Sequence, residues 1–315
     1  MKLLLGLAMM AMAGVEPVSP ANSDLLALRA LDQRVADVGY HLARAATPFC
    51  AERVPLSGVV LHGIEQYGAA SRDAARQTFD LGDELAVLVV AHGSPAEAAG
   101  LRTGDRILAV DGRAIPPPAA DPTTRVEATA RAIEQSTAPM LAFDIERGGI
   151  RQLVAFAPDR GCATQFWINP SPRLIAEADG HEVEITSAYV EHAANDAALA
   201  IVLAHELAHN ILHHRARLDR DGAHHGLARQ FGRSAGLSRA AELEADRLSV
   251  PIAGCAGYDL DDALAFRESL WRDRITDALF RAPDHPAARQ RLATIRLAIV
   301  RFRADPAPCG KAANR

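Results

Sequence analysis

The chain has 315 residues and a mass of 33.6 kDa, enough for one large domain or two ordinary ones. Hydrophobic residues at 49% against charged residues at 23% supply a buried core and exclude disorder as the governing state. A net charge of −5 presents no basic face and excludes nucleic acid as the main partner, and the lack of short repeats excludes collagen-like, coiled-coil and low-complexity classes.

The chain opens with Met1 and Lys2, then an almost wholly apolar run from Leu3 to Met12. A bilayer span needs about twenty such residues, so this run is too short and no transmembrane helix is expected. One positive charge, a short apolar stretch and small Ala11 and Ala13 predict a secretory signal peptide over 1–13, cleaved after Ala13. The protein is therefore expected to be exported, periplasmic or secreted. Cys50, Cys162, Cys255 and Cys309 remain, and an even number in an exported chain suggests disulfides. No C-x-x-C pair is present, which weakens a cysteine zinc site. Of the three pairings, the domain layout below favours Cys50 with Cys162 and Cys255 with Cys309.

Leu25, Leu28, Leu31, Val35, Val38 and Leu42 recur at helical spacing and predict a helix over 24–46, capped by Ser23 or Asp24. A short apolar segment, Val59 to Leu61, follows. Leu85 to Ala91 reads as a strand, Ser94 to Leu101 as a short helix closed by Gly100, and Arg106 to Val110 as a strand before the turn Asp111-Gly112. A helix is expected over 124–135. The strands Leu141 to Glu146 and Gln152 to Ala157 are joined through Arg147-Gly148-Gly149, a hairpin signal.

The ordered phrase Ser94-Pro95-Ala96 through Gly100-Leu101, then Gly104-Asp105-Arg106-Ile107, then Val110-Asp111-Gly112 resembles a PDZ domain of the bacterial protease-associated kind. The resemblance implies a groove between a strand and a helix that takes a peptide C-terminus or an extended segment by strand addition. Phe79-Asp80-Leu81-Gly82 is the candidate loop for a terminal carboxylate.

Residues 163–315 read as mostly helical, except for the alternating segment 182–187, a half-buried strand. Helices are expected at Asp196 to Arg215, 238–250, Asp261 to Leu279 and 286–303. The first carries His205-Glu206-Leu207-Ala208-His209. Residues four apart share a helix face, so His205 and His209 can present two imidazoles to one zinc ion, with Glu206 in reach of a water. The apolar run Ala197 to Ala204 suits a catalytic helix crossing a core.

A catalytic zinc usually has three protein ligands and one open position. His213 lies about 12 Å along the axis from His205, too far to share an ion. His213 and His214 read as a pair behind the ligands or in solvent, and His224 and His225 as surface residues. Glu242 and Asp246 share a helix face. One of these carboxylates can bind zinc while the other hydrogen-bonds a liganding histidine and fixes its tautomer. Small Ala241 and Ala245 would let that helix approach the histidine helix closely.

Ala204 to His209, then Glu242-x-x-Ala245-Asp246, together resemble family forty-eight of the metallopeptidases, the HtpX and CAAX-prenyl-protease group, over roughly 165–300. His285-Pro286 with Arg289 to Leu292 fits a recurring phrase of that family. The resemblance implies one Zn2+ per chain on His205, His209 and Glu242, with Glu206 as the base. Asp246 would orient a ligand. His285 is a candidate second catalytic residue, at the oxyanion or as a gate over the metal, with Tyr189 and Arg239 weaker candidates. The strand at 182–187 would offer its edge to an extended substrate.

The expected fold is α+β: a signal peptide over 1–13, an N-terminal helical segment over 14–57, a PDZ-like β-rich domain over 58–160, and a mainly helical zincin-type metallopeptidase domain with a small edge-strand sheet over 161–315. The function implied is a zinc endopeptidase acting on protein or peptide substrates, with the PDZ module selecting or positioning them. The alternative is a PDZ-containing binding or quality-control protein with a latent zinc site.

Overall fold

The computed structural model describes residues 20–118, 120–220, 232–275, 287–306 and 309, so the expected signal peptide, His224, His225 and His285 lie outside the described residues. Helix α1 (Pro20–Ala45) distributes its faces between two bodies. Val35, Val38 and Leu42 enter the helical core, while Ala36 and Tyr40 pack on Val89 and Ala91 of the β-rich unit.

The β-rich unit begins with β1 (Arg53–Leu56), β2 (Val59–His62), α2 (Arg72–Phe79), β3 (Leu85–Val90) and α3 (Pro95–Ala98). It continues with β4 (Arg106–Val110), β5 (Arg113–Ala114), α4 (Thr124–Glu134), β6 (Leu141–Arg147), β7 (Ile150–Phe156) and β8 (Asp159–Cys162). An antiparallel sheet runs β2-β3-β4-β6-β7, with β5 on β4. Its apolar face, including Leu85, Ile107, Leu141, Phe143 and Ile145, buries Val126 and Ile133 of α4. The β6–β7 turn places Gly148 at φ 58° and Gly149 at φ 77°. Two successive left-handed residues are what a tight hairpin turn needs, and glycine supplies them at least cost. Strand β1 pairs antiparallel with β8, and the Cys50–Cys162 disulfide closes the same neck.

The remainder comprises β9 (Gln165–Asn169), β10 (Ala176–Ala178), β11 (Glu182–Thr186), α5 (Ser187–His192), α6 (Asp196–Ile211) and α7 (His214–Arg220). Then come α8 (Gly232–Cys255), α9 (Leu260–Ile275) and α10 (Ala288–Ala304). The expectation of helix across 163–181 is corrected: β9 and β10 flank β11 in a three-stranded sheet, parallel at β9–β11 and antiparallel at β10–β11. Strand β11 is thus central, with both edges paired, and cannot offer an edge to a substrate. The outer strand on the cavity side is β10.

Helix α6 is the axis of the core. Asn195 caps it by accepting from the Ala198 amide at 2.9 Å. Leu199, Ile201, Leu203 and Leu207 are fully buried among α1, α8, α9 and α10, each contributing about 1.5–3 kcal/mol. The helix stops at Ile211, not at 215, because His213 takes φ 50° and the chain restarts as α7. Buried Ala241 and Ala245 lie on α8, which packs against α6. Cys255, the last residue of α8, is bridged to Cys309.

Candidate metal centre and groove

One turn of α6 and one turn of α8 converge on three donors. His205 Nε2 and His209 Nε2 are 3.2 Å apart, and Glu242 approaches them at 3.5 Å and 3.6 Å. Two ligands each about 2.0–2.1 Å from a tetrahedral zinc would stand roughly 3.3 Å apart. The donor set therefore fits zinc in both chemistry and spacing, and it is the group of metal-ligating atoms found among the described residues.

The surrounding hydrogen bonds orient both imidazoles. Asp246, fully buried, lies 3.1 Å from His205 Nδ1, which leaves Nε2 for a metal. His209 Nδ1 meets His214 Nδ1 at 3.0 Å, and His214 Nε2 meets Glu244 at 3.2 Å, itself held by Arg217 at 2.8 Å. If His214 donates to Glu244, its Nδ1 accepts from His209, and His209 Nε2 is again the free donor atom. His214 thus stands behind a ligand, whereas His213 is exposed.

Burial opposes charge on His205, but hydrogen bonds to Asp246 and Glu242 shift it upward. Burial and the neighbouring His205 push His209 down to about 3. Burial raises Glu206 to about 7. Burial also resists charge on Asp246, yet hydrogen bonds from Arg291 and His205 hold its carboxyl below the usual range.

Sequence reasoning passed over two arginines. Arg291 donates to both oxygens of Asp246 at 2.7 Å and lies 2.9 Å from Glu242 and 3.1 Å from His205 Nε2. Its signal was its place four residues before Ile295 and eight before Ile299, the buried stripe of α10. Arg267 is 5% exposed and sits at a core position of α9, between Phe266 and Leu270.

These groups line a cavity of about 550 Å³ that also reaches Leu174 to Ala178 of the β10 edge. Glu206 faces it, and so does Tyr189; Arg239 is not among its lining residues.

A second concavity lies between β2 and α4. Ser57 to Leu61 and Val126, Ala130 and Ile133 form its two sides, around about 120 Å³. Helix α1 and strand β9 close it, through Tyr40, Phe166 and Trp167. A Cβ on Gly39 would meet the Phe166 ring at 2.6 Å, so this closure requires a glycine. Phe79-Asp80-Leu81-Gly82 is not at the groove: Phe79 and Leu81 pack in a small core with Ile64, Ala75 and Ala86. The segment at the groove's end is Pro55 to Gly58, the last two residues of β1 and the Ser57-Gly58 connection that leads directly into β2.

Residues 87–147 match the PDZ domain family. The PDZ domain is a protein-interaction or regulatory module, and strand β2 with the loop before it completes its groove upstream of the matched span. A search of curated proteins finds no match to the chain. Two ion pairs hold the domain together. Arg125 grips both oxygens of Glu65 at 2.7 Å, and Arg147 grips both oxygens of Asp105 at 2.6 Å. Its α4 meets the helical body through Glu134, which accepts from Gln165 at 3.1 Å and lies 3.3 Å from His181. The two disulfides fit an oxidising compartment, and no helix among the described residues is long and apolar enough to cross a membrane.

Proposed function

We propose that this chain is an exported zinc-dependent endopeptidase of the HtpX and CAAX-prenyl-protease kind, with a PDZ module that selects or positions protein substrates. The observation that carries the reading is the convergence of His205, His209 and Glu242 at near-tetrahedral spacing in a cavity that Glu206 also lines. Neither a structural metal site nor a plain adaptor has use for Glu206 beside the donors.

His205, His209 and Glu242 would hold the ion. Zinc supplies Lewis acidity towards a water and a scissile carbonyl. Glu206 takes a proton from the attacking water as its oxygen bonds to the carbonyl carbon. The C–N bond then breaks, and Glu206 returns the proton to the leaving amine. Glu206 is buried, which favours taking up a proton. Asp246 and His214 keep the imidazoles in the metal-binding tautomer. Strand β10, at the cavity wall, is the edge along which an extended substrate would align.

A second reading draws on Arg291, which satisfies Glu242 and Asp246 without a metal. In it the zinc site is latent, and the PDZ domain acts as a binding or quality-control module.

Cleavage of an unfolded protein by the purified chain beside Glu206→Gln, with zinc content measured on both, separates the two. The peptidase reading expects loss of cleavage with zinc retained. Zinc on both proteins and cleavage by neither, across several unfolded substrates, would favour the latent site.

A further inference from the structure

Arg267 is a buried cation that the mechanism above does not use. Its one hydrogen bond is long, Nη2 to the Ile201 carbonyl at 3.4 Å, and its Nε has no partner. Its guanidinium lies 5.4 Å from the centre of the Trp271 ring; among the described residues no carboxylate lies within ion-pair distance, and Glu206 is an acid that feels its charge. Both residues line the cavity that holds the three donors. Ile201 is one helical turn before His205, which places the guanidinium beside the donor set rather than on it.

The contrast with Arg291 defines the problem. Arg291 also lies near Trp271, at 4.9 Å, but two carboxylates satisfy it. Burying a guanidinium without a hydrogen-bonded counter-charge is costly, and an apolar side chain would serve packing better. The position itself is apolar in pattern, with Ala263, Phe266, Leu270 and Trp271 as its buried neighbours on α9. A charge kept there is explained if its partner arrives with a ligand. A neutral carbonyl would not balance it; a carboxylate would, and the planar fork of arginine matches carboxylate geometry.

We propose that Arg267 makes this cavity selective for a peptide carrying a carboxylate next to the bond at the metal centre. The inference rests on the peptidase reading for the location of that bond, but not for the recognition itself. The carboxylate is either the peptide's free C-terminus or an acidic side chain, and the two are separable.

The chain has two tryptophans, Trp167 and Trp271, so Trp167→Phe leaves Trp271 as the fluorescent reporter beside Arg267. Three acetylated tetrapeptides are titrated into that protein, with zinc present and after chelation, and peptide integrity is checked by mass spectrometry. They are tetra-alanine with a free carboxylate, its amide, and the amide with one alanine replaced by glutamate. One acidic peptide is expected to bind about tenfold or more tightly than the neutral amide, as a charged hydrogen bond would give. The preferred acid identifies the source. Arg267→Gln should erase the preference, and Arg267→Lys should keep part of it, because the charge stays and the fork is lost.

Equal affinity for all three peptides would overturn the proposal, as would a preference that survives in Arg267→Gln. Should the Gln variant not fold, the comparison of the three peptides on the unsubstituted Arg267 decides. Acid selectivity without zinc uptake would leave the proposal standing and sink the peptidase reading. Zinc-dependent cleavage without acid selectivity would do the reverse.

Discussion

The PDZ domain and the helical body both bury charge, and they treat it differently. In the PDZ domain each such pair is closed on itself: buried Arg125 has both oxygens of Glu65 and the Asp83 carbonyl at 2.6 Å, and half-buried Arg147 has both oxygens of buried Asp105. In the helical body two imidazoles, two carboxylates and Arg291 crowd one cavity, with Arg267 left short of partners. A structural ion pair completes itself. A site that works on something else keeps donor atoms and charges that its own residues do not fully satisfy.

The sharpest break would come at the metal. Glu206→Gln should lower cleavage by about 10²- to 10⁴-fold, the range for loss of a general base, without changing zinc content. An equal loss of zinc would show that the carboxylate holds the site together instead. Next is the neck of the PDZ domain. Replacing Cys50 and Cys162 by serine opens a closure of 112 residues, and chain entropy sets the cost at about 4–5 kcal/mol in denaturant unfolding. An unchanged midpoint would mean that the β1–β8 pairing holds the neck alone.

The buried cations give the most direct test of the contrast. Arg125→Ala strands Glu65 and should cost about 3–5 kcal/mol. Arg267→Met removes a charge with no ion-paired acid and should be within about 1 kcal/mol of neutral, or stabilising. Similar losses at both positions would erase the distinction drawn here.

The smallest expected effect lies where the two bodies meet. The Glu134 carboxylate 3.3 Å away raises His181, so the folded protein holds that proton more tightly than the unfolded chain. The contribution is complete below the ordinary histidine value of 6.5 and fades as pH rises through the higher folded value. Thermal midpoints should therefore fall more between pH 6 and pH 8 in the natural chain than in Glu134→Gln. Parallel slopes would remove this contact from the account.

The parts legible in the sequence are those with local periodicity. Spacing puts His205 with His209, and Glu242 with Asp246, each pair on one helix face; that the two faces meet was implied by the resemblance, and the structure brings the four together. Strands β9 and β10 were read as helix because they have five and three residues and pair with β11 across a turn and a loop, leaving too little alternation to detect. The groove segment at Pro55 to Gly58 was missed because it becomes recognisable only when β2 is seen to pair with β3. The two arginines of the cavity resemble the surface arginines of their own helices. Their register on a buried stripe marks them, at Arg291 with Ile295 and Ile299 and at Arg267 with Phe266 and Leu270, and Arg291 also falls inside the phrase Arg289 to Leu292.

The central claim is that α6 and α8 together hold one zinc ion. Metal content should be measured on the purified, zinc-equilibrated chain, then on His209→Ala and Glu242→Ala, with circular dichroism confirming that each is folded. The account predicts one zinc per chain in the natural protein and loss of it in both folded variants. A natural protein without zinc, or variants that keep it, would contradict the assignment of His205, His209 and Glu242 as the ligands.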